Sequence, residues 1–337
     1  MNSLDRLQAL LAGQPVDRTP NFDIFMTLAA HTIGAPLSRY YLDYRVLVQA
    51  NLAVLQTYHL DIVQTLSDPY REAADCGLAV DFPTDWLPIN KIPLIQETGD
   101  LHGVAFAGKT FGPRMTDRIE AVRALREQVG NEVPVMGWVE GALAEAADLR
   151  GVSTLLTDLT ERPAWVHELL EACTSMAIAF AEAQIAAGAH IIGLGDAIAS
   201  QISPRMYRAF AMPYEQRIFA AVRAAGAIPR LHICGNTTHL LRDIATCGAQ
   251  IVDLDWMVDL GQAAQALEGL AVCGNLNPVS VFLQGTPEQV RLGVLANAAA
   301  GGGRWISAAG CEIPDSTPPA NLHAQTQALA ELARLSK

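Results

Sequence analysis

Short apolar runs alternate with longer amphipathic stretches over most of this chain. Residues 2–13 place Leu4, Leu7, Leu10 and Leu11 on one face of a helix that Gly13 closes, and Pro15 and Pro20 then break the pattern. The apolar residues 21–26, bounded by Pro20, predict a first strand, and a helix over 41–57 leads to a second strand over 61–66. Between 68 and 116 prolines and glycines interrupt the regular pattern. A short alternating piece at 78–82 there predicts an antiparallel excursion or lid. After a helix over 119–129, six further strands are expected at 133–139, 190–194, 230–233, 250–254, 270–273 and 304–308, with helices between most pairs. Together with the two early strands, these predict an α/β fold, a (β/α)8 TIM barrel, as one domain over 1–337. Residues 1–20 would form an N-terminal helical extension and 68–116 an insertion after the second strand.

Composition adds exclusions. Half of the 337 residues are hydrophobic and 17% are charged, so a large core is expected and disorder is not. Lys plus Arg number 23 against 35 Asp plus Glu, a net charge of -12. That balance leaves no basic excess to neutralise phosphates and argues against nucleic acid or an anionic membrane as partner. Asp5 and Arg6 stand where a signal peptide would be apolar, and no uncharged run reaches the roughly 18 residues of a membrane span, so a cytoplasmic protein is expected. The six cysteines, at 76, 173, 234, 247, 273 and 311, are too dispersed for a disulfide scaffold.

The chemistry gathers at the predicted strand ends. His232 and Cys234 lie two apart at the end of a strand and so share a face. An imidazole beside a thiolate suits zinc, although both residue types are also common in cores. A third ligand must come from elsewhere. In a barrel every strand's C-terminal end faces one mouth. There Glu140, Asp196, Asp255, Asn275, Asn277 and Cys311 follow successive strands, which makes Cys311 the candidate third ligand. Glu140, Asp196 and Asp255 are candidate catalytic carboxylates that could accept a proton or orient an acceptor. Equally, they could cap loops and helices. The Gly301–Gly303 run precedes a strand and is read as a tight connection, not a phosphate cradle.

The stretch His232-Ile233-Cys234-Gly235-Asn236, taken with Gly310-Cys311-Glu312-Ile313-Pro314 and the following residues to Pro319, resembles the zinc-dependent methyltransferase branch of the uroporphyrinogen decarboxylase superfamily, typified by the cobalamin:coenzyme M methyltransferases. Val16-Asp17-Arg18-Thr19-Pro20, Gly137–Gly141 and Gly274–Pro278 support the likeness. The resemblance implies a barrel and a zinc ion held by His232, Cys234 and Cys311. It also implies methyl transfer from a methylated corrinoid protein to a thiol or a folate. Residues 23–31 contain no arginine, whereas the true decarboxylases carry an arginine-rich motif after the first strand. Tetrapyrrole decarboxylation is therefore a second reading, and a non-catalytic zinc- or corrinoid-binding protein a third. A Cys2His set leaves zinc an open fourth position. A thiol bound there is deprotonated at neutral pH, where in water only about 3% of it would be thiolate.

Overall fold

A computed structural model describes residues 1–106, 108 and 110–335. Its strands are β1 (Val63–Gln64), β2 (Val80–Asp81), β3 (Ile89–Asn90), β4 (Val135–Glu140), β5 (Ile191–Gly195), β6 (Ile228–His232), β7 (Ile251–Asp253), β8 (Ala271–Cys273) and β9 (Trp305–Ile306). Seven of them, β1 and β4 to β9, form one sheet in the order β1-β4-β5-β6-β7-β8-β9, every pair parallel. Connecting helices cover the outer face. Because both faces are buried, the strands read as continuous apolar runs instead of alternating ones. Phe22, Ile62, Met136, Trp138, Ile191, Ile251 and Ile306 fill the concave interior, closed from below by Leu7 and Leu10 of the helix Ser3–Leu11.

The expected closed eight-stranded barrel is corrected in one respect: the sheet is curled but open, a half-barrel of seven strands. The segment predicted as the first strand makes a single parallel bridge, Asn21 with Ser307. Physical causes are local. Pro20 has no N–H to give a ladder, and the Asp23 carboxylate takes the Ala309 amide at 2.7 Å where a backbone carbonyl would otherwise serve. The antiparallel excursion is present as β2 and β3, registered Val80 with Asn90. Ala107 and Lys109 of the expected insertion lie outside the described residues. His31 ties the β2–β3 connection to the loop after Cys311, its ring nitrogens lying 3.2 Å from Asp85 and 2.6 Å from Asp315. The helix Pro163–Ala186 is long and apolar enough to cross a membrane. Here it packs against β4 and its neighbouring helices as a core element.

The N-terminal helix is anchored by buried charge. Asp61, fully buried, accepts from Ser3 at 2.7 Å, Arg6 at 2.7 Å, Arg18 at 2.6 and 2.8 Å, and the Asn21 amide at 2.8 Å. Removing one member of such a set strands the others. Asp61→Ala is expected to lower unfolding free energy by about 3–5 kcal/mol in urea titrations.

Asp23 is different, since one carboxylate oxygen lacks a partner and burial pushes the group up to about 7 against the opposing Ala309 bond. In the unfolded chain it ionises at about 4. The native state therefore binds the extra proton between those values, and the stability Asp23 confers is full below that window and lost as pH rises through it. Asp23→Asn should reduce the fall in urea midpoint between about pH 5 and about pH 8.

Candidate metal centre

Parallel register sets the site. Glu140 pairs with Gly195, Gly195 with His232, His232 with Asp253 and Asp253 with Cys273, so these residues form one transverse row across β4 to β8. Neighbours in such a row point to the same face. His232 Nδ1 lies 2.9 Å from Asp253 Oδ2, and Arg230 Nε donates to Asp253 Oδ1 at 2.8 Å. That assigns the Nδ1 hydrogen to Asp253 and turns Nε2 toward Cys234 Sγ, 3.0 Å away. Two residues beyond the strand, Cys234 sits on a turn that needs Gly235, whose φ is +91°.

Cys311 arrives from the far edge of the sheet. Its loop is fixed by the Leu276–Ala309 bridge and by the Gly310 amide donating to Leu276 O at 2.8 Å. Gly310 is required there, because a Cβ would stand 2.4 Å from the Trp256 amide nitrogen. The two sulfurs end 3.7 Å apart, and the three ligand atoms of His232, Cys234 and Cys311 all lie within 4.8 Å of one another.

The group is electrostatically poised. Hydrogen bonding to Cys234, and then the His232 charge, pull the Cys311 thiol down to about 4, while the same bond pushes Cys234 up. Burial opposes charge on His232, but Cys234 and Asp253 outweigh it and raise the imidazole. Burial likewise resists ionisation of Asp253, yet Arg230 and His232 hold it below the ordinary carboxylate range.

These atoms line a pocket of about 160 Å³ whose remaining wall includes Met26, Leu66, Trp138, Asp68, Glu140 and Glu312. Of the three sequence-proposed carboxylates only Glu140 reaches it. Glu140 Oε1 accepts from Arg71 at 2.6 Å and from the Trp138 indole at 3.0 Å, and burial pushes the carboxyl up to about 7. Asp196 is fully buried and accepts the Ala144 amide at 3.0 Å. Asp255 accepts the Gly235 and Met257 amides at 2.9 and 3.1 Å, bracing the Cys234 turn. Asn275 donates to the Asp255 and Val258 carbonyls, and Asn277 caps the next helix. Sequence reasoning passed over Arg230 and Asp253. The available signal was a charge in each of two adjacent apolar strands, which burial obliges to find a partner.

The uroporphyrinogen decarboxylase (URO-D) family model matches residues 2–332. The chain belongs to the URO-D family. Within that family it is similar to the methylcobamide:CoM methyltransferase MtbA of Methanosarcina mazei, 35% identical over 206 residues, a match that spans 60% of either chain. It is also similar to the methylcobamide:CoM methyltransferase MtaA of Methanosarcina barkeri, 27% identical with 97% of each chain covered. The fold is shared with the solved structure of a methyltransferase from Methanosarcina mazei, at a TM-score of 0.90, 24% identity, and coverage of 98% and 99%.

The geometry of this URO-D chain makes Cys234 and Cys311 the cysteines placed to react with each other. Mild oxidation of the metal-free protein should join them, seen as loss of two hydrogens by mass spectrometry and a cross-linked peptide pair. Cys311→Ser should abolish the product.

Proposed function

We propose that this protein is a zinc-dependent methyltransferase that moves a methyl group from a methylated corrinoid protein to a small thiol. The observation carrying this reading is the convergence of His232 Nε2 and the Cys234 and Cys311 sulfurs on one point of an open pocket. The donor set fits zinc in type and spacing. Two sulfurs each about 2.3 Å from a tetrahedral zinc lie roughly 3.8 Å apart, and here they are 3.7 Å apart. Asp253 completes the carboxylate–histidine arrangement that accompanies metal-bound imidazoles. When bound, zinc would lower the pKa of an acceptor thiol so that it is held as a nucleophilic thiolate.

The protein's own groups do the rest. Glu140, raised by burial and held by Arg71 on the pocket wall, is assigned here to take the thiol proton. Met26, Leu66 and Trp138 keep the pocket apolar, which excludes water and aligns the approaching methyl group. The thiolate's electron pair forms the S–CH3 bond as the Co–C bond breaks, leaving that bond's pair on cobalt as Co(I). A cavity of about 160 Å³ suits a small thiol. The tetrapyrrole-decarboxylase reading finds no support at this pocket, which is lined by no arginine or lysine among the described residues.

Zinc reconstitution should give close to one ion per chain, and Cys311→Ala should lose most of that affinity. Asp253→Asn should weaken zinc binding about 10–100-fold in competition with a chromophoric chelator, with the fold intact by circular dichroism. Loss of the methyl-cobalt absorbance on adding thiols to the zinc-loaded protein and methylcobalamin tests the reaction. A protein that binds no zinc, or that turns over equally after chelation, would overturn the assignment.

A further inference from the structure

We propose that the acceptor is a small cationic thiol of the aminothiol class, with Glu312 as the counter-charge for its ammonium group; this rests on the methyl-transfer reading above. Apart from His232 and the two cysteines, the ionisable groups on the pocket wall are carboxylates: Asp68, Glu140 and Glu312. Two are already answered by buried cations behind them. Asp68 pairs with Arg114 at 2.5 Å and Glu140 with Arg71 at 2.6 Å.

Glu312 is not answered. Its Oε1 accepts the amide and hydroxyl of Thr27 at 2.8 and 2.9 Å, and among the described residues it forms no ion pair. It follows Cys311 directly in the chain, so this negative group stands beside the sulfur end of the pocket. Two cysteine thiolates would balance a divalent ion, and neither arginine is spare: Arg114 is taken by Asp68, and Arg71 is shared between Glu140 and Glu72, the latter at 3.4 Å. An incoming acceptor therefore meets, in Glu312, a carboxylate with no cationic partner among the described residues, in a mostly apolar cavity. Screening by salt is weak in such a place. A sulfonate or carboxylate head would be repelled there and an ammonium head attracted.

Three two-carbon thiols separate the possibilities: cysteamine, 2-sulfanylethanol and 2-sulfanylethanesulfonate. Each is titrated calorimetrically into the zinc-loaded full-length protein without methyl donor, and each is then assayed with methylcobalamin. The expected order is cysteamine, then the neutral thiol, then the sulfonate, with at least about a tenfold span in dissociation constant and in kcat/KM. In E312Q the span should shrink to about twofold with zinc content unchanged, a comparison that removes differences in the thiols' own acidity. Equal or tighter binding of the sulfonate by the wild-type protein overturns the proposal, as does a cation preference that survives in E312Q. The wild-type ranking decides the matter if E312Q does not fold. If no thiol is methylated, the methyl-transfer reading fails, while the calorimetric order still judges the role of Glu312.

Discussion

Strand register is the constraint on which this molecule depends. One transverse row carries Glu140, Gly195, His232 and Asp253, so the depth and direction of four groups follow from backbone pairing alone. A slip by one residue in β6 would turn His232 out of the concave face and bring Leu231 in. Glycine in the row is part of the design. A Cβ at Gly195 would stand 2.8 Å from the Trp138 ring and 3.1 Å from Glu140, and its absence lets the indole fill the gap between the carboxylate and the imidazole.

Around that row, charge is handled in two ways. Arg230 and Asp253 are buried as a matched pair, which fixes geometry without leaving a bare charge in the core, whereas Arg71 is shared between the buried carboxylates of Glu140 and Glu72. The pocket groups are left incompletely matched. His232, Cys234 and Cys311 shift one another's proton affinities, the Cys311 thiol falling while the Cys234 thiol and the His232 imidazole rise.

Much of this was legible in the sequence. The succession of apolar strands and amphipathic helices located β4 to β9 to within a few residues, and the rule that strand ends share a mouth brought Cys311 to Cys234 across the fold. The closed barrel was over-read, because residues 21–26 look like a strand by composition while Pro20 and Asp23 divert the chain after one bridge. Proximity to a strand end also could not distinguish Glu140, which faces the pocket, from Asp196 and Asp255, whose oxygens go to backbone amides of a helix start and a loop. That difference lies in where a backbone N–H points, which a side-chain pattern does not encode. Arg230 and Asp253 stayed hidden because their meaning lies in pairing between strands 23 residues apart.

The segment from Phe22 to Thr27 holds three residues around the site that come late in the chain. Phe22 lies under the Arg230 guanidinium at 5.5 Å, Asp23 holds the Ala309 amide, and Thr27 holds Glu312. The last two of these contacts join residues 286 and 285 positions apart in sequence. Contacts of such long range close only after local structure has formed. This wall of the pocket is therefore a late product of folding, and local strand and helix formation cannot build it.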